Sequence, residues 1–269
     1  DHEIDAELAL DADGNFLALR MTGYGNLGAY LTAFGLLIAA INIHRNAQSV
    51  YRTPLIQTSM RCVVTNTPPV GAYRGAGRPE GNYVMERMVE EAARVSGIDP
   101  VELRRRNHVR PEELPFNSGV GSIYDCGDFP GLLDAALKAA DWNGYEERQA
   151  ESAARGKLRG RGVGQYLEIT APPTNELGEI HFEEDGSVTV LTGTLDFGQG
   201  HATTFAQVLV ERLGVPFDRI RLVQGDSDQI RIGGGTGGSK STMASGSAFI
   251  EASEQVIEIG KRAASHLLE

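Results

Sequence analysis

Apolar residues alternate with polar ones at Ile4, Ala6, Leu8 and Leu10, pause at Asp13-Gly14 and resume from Phe16 to Met21, which predicts a β-hairpin. The longest apolar run follows, "AYLTAFGLLIAAINI" at 29–43; it is short for a bilayer and has polar flanks, so it is expected to be buried core. A strand is expected over "MRCVVTN" at 60–66, feeding Pro68-Pro69 and the stretch "GAYRGAGR" at 71–78. Pro79 suits the first position of a helix, on which Val84, Met88, Ala92 and Val95 recur on one face until Gly97 stops it. Asp99, Pro100 and Glu102 restart a helix as a capping box.

Residues 107–127 are rich in Pro, Gly, Ser and Asn and read as a loop. Beyond them Asp128 caps a helix that turns Leu132, Leu133, Ala136, Leu137 and Ala140 inward. The charged stretch 145–161 reads as a solvated helix or linker, and 163–195 holds three strand candidates, two of them joined at Asp185-Gly186. An amphipathic helix at 202–213 points Phe205, Leu209 and Leu213 inward and ends at Gly214 and Pro216. The strand "RIRLVQG" and the loop "GGGTGGSKS" then lead into a last helix over 244–269, and no fixed-period repeat is visible. This mixture predicts an α+β fold with a domain boundary in the 107–127 loop, giving domains 1–117 and 118–269.

With 269 residues and 41% hydrophobic content, the chain can fill a globular core. A net charge of −11 argues against nucleic acid as its main partner, because phosphate neutralisation needs a basic face. Yet Arg20, Arg45, Arg52, Arg61, Arg74 and Arg78 fall between Asp13 and Glu80 with no lysine and no acidic residue among them, a local charge of +6. Two readings stand: a field that focuses an anionic small molecule, or chance spacing combined with burial. Cys62 and Cys126 are far apart, and no C-x-x-C, His cluster or H-E-x-x-H occurs, so neither a zinc site nor an iron–sulfur cluster can be built from this chain alone. Two cysteines fit a reducing cytosol, as would one buried thiol pair. The chain opens without methionine and stops at Glu269 inside a helical pattern, so either end is compatible with a cut through a longer protein.

Four glycine-rich stretches are candidates for chemistry. In "GAYRGAGR" the glycines permit φ > 0 and close approach to a ligand, while arginine offers a fork of donors to an oxyanion. "GYGNLG" at 23–28 matches the dinucleotide pattern, but its strand belongs to a hairpin and no acidic residue lies about 20 residues onward; a tight turn explains it better. In "GGGTGGSKS" at 233–241, Lys240 follows Ser239 where a phosphate-binding loop demands glycine, which argues against ATP hydrolysis. A glycine loop running into a helix still offers N–H groups and a positive dipole end to an anion, against the alternative of a flexible surface loop. "DFGQGHATTFAQ" at 196–207 has the same logic, and the Gln199 amide, both donor and acceptor, suits a heterocycle or an oxo group; a structural turn is the competing reading.

Taken in order and with their intervals, "VGAYRGAGRPE", "GQGHATTFAQ" and "GTGGSKS" resemble the molybdopterin-binding large subunit of the xanthine dehydrogenase, aldehyde oxidase and carbon monoxide dehydrogenase family, over essentially the whole chain. The resemblance implies the middle of a longer subunit: two molybdopterin-binding domains of mixed sheets and helices, incomplete at both ends. It implies that Ala72, Tyr73, Arg74 and Gly75 lie beside the molybdenum. Phe197, Gly198, Gln199, Gly200 and His201 would hold the pterin, with Gln199 near the oxo ligand, and Gly237, Gly238, Ser239 and Ser241 would cradle the phosphate or dithiolene side. The implied cofactor is molybdenum–molybdopterin cytosine dinucleotide. The implied partners are an iron–sulfur small subunit carrying 2Fe-2S and a medium subunit carrying FAD, assembled as a dimer of heterotrimers in the cytoplasm. The implied activity is hydroxylation of an aldehyde or N-heterocycle carbon with oxygen from water, a glutamate acting as base.

Two departures qualify this. Gly75 stands where the copper-dependent carbon monoxide enzymes carry a cysteine, which argues against oxidation of carbon monoxide. The family's catalytic glutamate motif is absent before Glu269, as is the upstream loop that carries another cofactor-contacting glutamine, while Glu176 and Glu179 are expected to be surface residues. The chain alone is therefore expected not to turn over. The competing readings are a non-catalytic binding or assembly module of the same fold and, further behind, a nicotinamide-dependent dehydrogenase based on "GYGNLG".

Overall fold

The opening alternation forms the expected hairpin. Strand β1 (His2–Leu10) pairs antiparallel with β2 (Phe16–Gly28), and Asp11 Oδ1 closes the turn by accepting from the N–H groups of Asp13 and Asn15. Strand β3 (Leu55–Val64) lies parallel to β2 and completes a sheet of order β1-β2-β3. Because β2 runs on to Gly28, "GYGNLG" is strand interior and not the expected turn. A Cβ at Gly23 would stand 2.1 Å from Glu3 O, and one at Gly25 2.4 Å from Ala39 O, so these glycines admit neighbouring chain and not a dinucleotide.

Helix α2 (Arg78–Ser96) begins with Pro79 in its first turn and ends at Gly97, whose φ of +73° is the left-handed stop expected of it. Its deep face differs from the expected one. Asn82, Met85, Glu86, Val89, Ala92 and Ala93 are buried, Val84 and Met88 lie half-buried at the margin, and Val95 is exposed. The polar members explain the shift, because each has a partner inside: Tyr51 Oη donates to Glu86, and Ser49 Oγ donates to Asn82. Helix α3 (Pro100–Asn107) follows, with Asp99 Oδ1 accepting from the N–H groups of Val101 and Glu102. Glu102 pairs with Arg106 at 2.9 Å, so the cap forms without the expected box. From α3 the fully buried Arg104 reaches Glu86 Oε2 at 2.8 Å, Glu90 at 2.9 Å and Val163 O at 3.0 Å.

The 29–43 run is not uniformly core. It forms one turn of π-helix, Leu37–Ile41, that continues as α1 (Asn42–Asn46). Ile38, Ala39 and Ile43 are buried, while Tyr30, Leu31, Phe34, Leu36 and Ile41 are exposed, because β2 and β3 cover the turn, and α2 covers α1, from one side only.

The computed structural model describes residues 1–171 and 175–268, in two compact units that part between Glu168 and Ile169. Residues 118–168, set by the sequence reading with the following domain, pack here with the first unit. Val120, Phe129 and Leu167 join its core, Tyr124 Oη donates to Ser49 O, and Gly119 N donates to Gln48. This stretch holds the short pair β4 (Phe116–Asn117) and β5 (Ile123–Tyr124), then α4 (Phe129–Ala139) and α5 (Tyr145–Ala154). Asp128 caps α4 as expected through Gly131 N. Of the five residues expected inward, Leu133 is buried and Leu137 half-buried, whereas Leu132, Ala136 and Ala140 are exposed; the main neighbour of α4 is the small turn Trp142–Gly144. Arg161 stacks over Trp142 and Tyr145 at 4.5 and 4.4 Å, anchoring the otherwise solvated tail of the charged stretch.

In the second unit β6 (Glu179–Phe182) and β7 (Val188–Leu191) form the hairpin expected at Asp185-Gly186, and β8 (Ile220–Val223) adds parallel to β7. Helices α6 (His201–Leu213) and α7 (Ser241–Leu268) pack on each other, and Val188, Val190, Phe205, Leu209 and Phe249 form the core. Two of the three strands expected in 163–195 are present. Residues 163–171 form none, and part of the expected region, residues 172–174, lies outside the described residues, as does Glu269 of the last helix. Among the described residues no helix is long and apolar enough to cross a membrane.

Candidate functional site

The arginine loop belongs to the first unit. Gly75, Ala76 and Gly77 all have positive φ (91°, 48° and 96°), closed by Ala76 N donating to Tyr73 O at 2.8 Å and Arg78 N to Gly75 O at 3.1 Å. The expected φ > 0 is therefore met, but close approach is made to the chain itself. A Cβ on Gly75 would stand 2.6 Å from the Pro79 ring, and one on Gly77 2.4 Å from Ile38 O. A cysteine at Gly75 would be strained both by its backbone and by its neighbour. Arg78 holds the loop, pairing with Glu168 at 3.2 Å and donating to Gly75 O. Glu168 also accepts from Tyr166 Oη at 2.9 Å, and burial together with this carboxylate pushes the Tyr166 hydroxyl up to about 12. Tyr166 and Glu168, which the sequence did not single out, brace the loop from a distant segment.

Of the six clustered arginines, Arg20, Arg52 and Arg78 pair with Glu7, Glu113 and Glu168, which neutralises half of the apparent field. Arg74 has no ion pair or hydrogen bond among the described residues. It is exposed beside Ala72 and Tyr73 and lines a cleft of about 860 Å³ with Tyr73, Tyr83, His2 and Glu80. His2 Nε2 and Glu80 Oε2 are buried without a partner among the described residues, and burial lowers the His2 imidazole despite the nearby Glu80 charge. A guanidinium unpaired among the described residues offers donors to an anion, with the Asp1 and Glu80 carboxylates on the same cleft lining acting against it.

The second unit brings together the two loops that the sequence placed 30 or more residues apart. Thr236 Oγ1 donates to Leu195 O at 2.7 Å and accepts from Leu195 N at 2.9 Å. Gly193 and Gly233 touch so closely that a Cβ on Gly193 would lie 2.2 Å from the Gly233 Cα. Glu176 staples the junction, accepting from Gly193 N at 2.9 Å and from Gly234 N at 3.4 Å, so it is a structural brace and not the surface residue expected. Lys240 Nζ turns back to Gly234 O at 3.4 Å, in keeping with its wrong position for a nucleotide triphosphate loop. Behind the loops, Gln224 Nε2 bridges Thr194 Oγ1 at 3.0 Å and His201 Nδ1 at 3.2 Å, and Ser245 ties in Thr192 and Thr194.

The two loops differ in where their N–H groups go. At 196–201 the Asp196 carboxylate fills the cradle: Oδ1 accepts from the N–H groups of Gly198 (2.6 Å) and Gln199 (2.7 Å), with Gly200 at 3.4 Å, and Oδ2 accepts from His201 N (2.7 Å). Those backbone donors, Gly198 and His201 foremost, hold the Asp196 carboxyl below its usual range. In the second loop the N–H groups of Gly237, Gly238 and Ser239 meet no acceptor among the described residues. Gln199 Oε1 accepts from Phe197 N, which fixes the amide and leaves Nε2 as a donor with no partner among the described residues, beside the exposed Phe197 ring. Ser241, at the start of α7, is buried and within 3.3 Å of Thr236 Oγ1.

Glycine geometry tests whether a cofactor fits. Gly198 and Gly200 have positive φ and are glycine for that reason alone, and Gly238 both has positive φ and abuts Ala171. Gly237 has neither a positive φ nor any heavy atom within 4 Å of where a Cβ would stand. Among the described residues nothing asks for glycine there, as is also true of Gly71, Gly160, Gly162, Gly246 and Gly260; at Gly237 the open position lies beside three N–H groups that meet no acceptor among the described residues. Among the described residues no set of three or more His, Cys, Asp or Glu could hold a metal ion.

Comparison with known proteins identifies the family. The chain matches the Molybdopterin cofactor-binding domain family twice, over residues 1–108 and 135–269. It is 34% identical to the 6-hydroxypseudooxynicotine dehydrogenase complex subunit gamma of Paenarthrobacter nicotinovorans, covering 98% of this chain and 34% of that one. It is 32% identical to the carbon monoxide dehydrogenase large chain of Hydrogenophaga pseudoflava, covering 100% of this chain and 36% of that one. Among solved structures, quinoline 2-oxidoreductase from Pseudomonas putida 86 superposes with a TM-score of 0.87 at 31% identity, over 95% of this chain and 34% of the other. The chain thus spans about a third of the length of these relatives.

Proposed function

Because the chain belongs to the molybdopterin-binding large-subunit family of the xanthine dehydrogenases, aldehyde oxidases and carbon monoxide dehydrogenases, we propose that it is the cofactor-holding part of a molybdenum hydroxylase. The observation that carries this reading is the paired loops of the second unit, in which the N–H groups of Gly237, Gly238 and Ser239 meet no acceptor, and no heavy atom stands over Gly237, among the described residues. When bound, the cofactor supplies the redox-active metal at which an aldehyde or N-heterocycle carbon is hydroxylated with oxygen from water. The chain supplies the rest. Gly237, Gly238, Ser239 and Ser241 would receive phosphate or the dithiolene side, and Gln199 would offer its Nε2–H to an oxygen of the group, with Phe197, Gly198, Gly200 and His201 around it. Within the first unit Arg74, with Ala72, Tyr73 and Gly75, would offer its guanidinium, unpaired among the described residues, to negative charge on the group.

In this reading the cofactor is the cytosine dinucleotide form, and electrons leave through 2Fe-2S and FAD centres on an iron–sulfur small subunit and a medium subunit, in a cytoplasmic dimer of heterotrimers. Residues 1–117 close one cofactor-binding domain and 118–269 open the next in sequence, although residues 118–168 pack with the first compact unit. The base that activates water lies outside these residues. The test is molybdenum content together with acid-released nucleotide, measured on the complex purified from its native host with its complete large chain. Near-stoichiometric molybdenum with CMP is the expected result. Absence of both metal and nucleotide would overturn the reading in favour of a non-catalytic module of the same fold.

A further inference from the structure

The cradle at the start of α6 looks from its sequence like an anion site, yet it is already filled from within. Asp196 accepts from the backbone N–H groups of Gly198, Gln199, Gly200 and His201 with its two oxygens, and these are the donors that a phosphate or pterin oxygen would otherwise meet. The same clamp presents the Gln199 side chain, whose Oε1 is occupied by Phe197 N. The neighbouring loop at 237–239, joined to this one through Thr236 and Leu195, has N–H groups that meet no acceptor among the described residues. We propose that Asp196 is a positioning residue: it serves as the permanent internal anion of loop 197–201, so that this loop meets the cofactor through the Gln199 amide and leaves phosphate to the 237–239 loop. The proposal rests on the cofactor reading above and assigns a role to a residue outside its contact set.

Two consequences separate this from a merely structural aspartate. Removing the carboxylate exposes four N–H groups at a helix start, which turns the loop into a binding site for an outside anion. Changing Asp196 to asparagine is selective: its Oδ1 still accepts from Gly198 and Gln199, whereas its NH₂ faces the His201 N–H donor and cannot accept from it.

The experiment is amide hydrogen exchange over residues 197–201 in the complete complex, prepared without cofactor, for wild type, Asp196→Ala and Asp196→Asn, each with and without inorganic phosphate. Molybdenum and nucleotide content of the loaded complexes are measured in parallel. Exchange in Asp196→Ala is expected to speed at least tenfold and to slow again when phosphate is added, with no phosphate effect in wild type. Asp196→Asn is expected to lose protection at His201 while Gly198 and Gln199 keep it, and this variant carries the test if Asp196→Ala does not fold. Both variants are expected to retain less molybdenum. Unchanged exchange in Asp196→Ala, non-selective loss in Asp196→Asn, or phosphate protection in wild type would overturn the proposal. A wild-type complex lacking molybdenum and nucleotide would instead overturn the cofactor reading, and the exchange data, which need no cofactor, tell the two failures apart.

Discussion

Replacing Gly237 by alanine separates a glycine kept for a ligand from one kept for the chain. Its φ lies outside the left-handed region, and no heavy atom of the described residues comes within 4 Å of the added Cβ, so the methyl group strains none of them in the cofactor-free protein. The substitution removes backbone freedom from the unfolded chain and is expected to stabilise the cofactor-free form by about 0.4–1 kcal/mol. If a cofactor lies over this position, the same methyl group overpacks the contact at about 1–3 kcal/mol, or about 5- to 150-fold weaker retention. The assay is molybdenum and nucleotide remaining on the complete complex after prolonged dialysis, beside denaturant unfolding of the cofactor-free form. Unchanged retention in Gly237→Ala would refute the assignment of this loop. Gly193→Ala is the contrasting control: its Cβ would lie 2.2 Å from the Gly233 Cα, so it is expected to destabilise the cofactor-free form itself by about 1–3 kcal/mol.

Other outcomes follow from the same geometry. Arg74→Ala in the complete complex is expected to lower turnover while changing stability by no more than about 0.5 kcal/mol, since the side chain is exposed and unpaired among the described residues; steady-state kinetics with thermal unfolding checks both. Arg104→Met is expected to cost about 3–5 kcal/mol in denaturant unfolding, because it strands Glu86 against the Tyr51 hydroxyl in the core, and Glu86→Gln added to it should recover part of the loss. His108 is buried with its Nε2 on Gln165, and burial lowers its pKa below the ordinary 6.5. The unfolded chain therefore binds the extra proton first, so this contribution to stability is complete above about 6.5 and declines as pH falls below it. Stability measured against pH should flatten in that window in His108→Gln.

Local chemistry explains what could be read from the chain. The turn at Asp13-Gly14, the stop at Gly97, and the Asp99 and Asp128 caps each depend on hydrogen bonds spanning two to four residues, so sequence alone determined them. The three loops and their order were legible for the same reason, since glycine, arginine and glutamine advertise unusual backbone and donor chemistry. Asp196 was within reach too, as an aspartate a few residues ahead of a helix, but its effect is the reverse of what the glycines suggest: it closes the cradle that they open. Only the tertiary structure decided which apolar residues are core. Tyr30 and Phe34 lie outside while Asn82 and Glu86 lie inside, because burial follows the partners that distant segments bring, Ser49 and Tyr51 here. It also decided that residues 118–168 pack with the first unit, and that the two glycine loops of the second meet at Thr236 and Gly193. Such contacts join positions dozens of residues apart, and their energy comes from shape and pairing that no local pattern encodes.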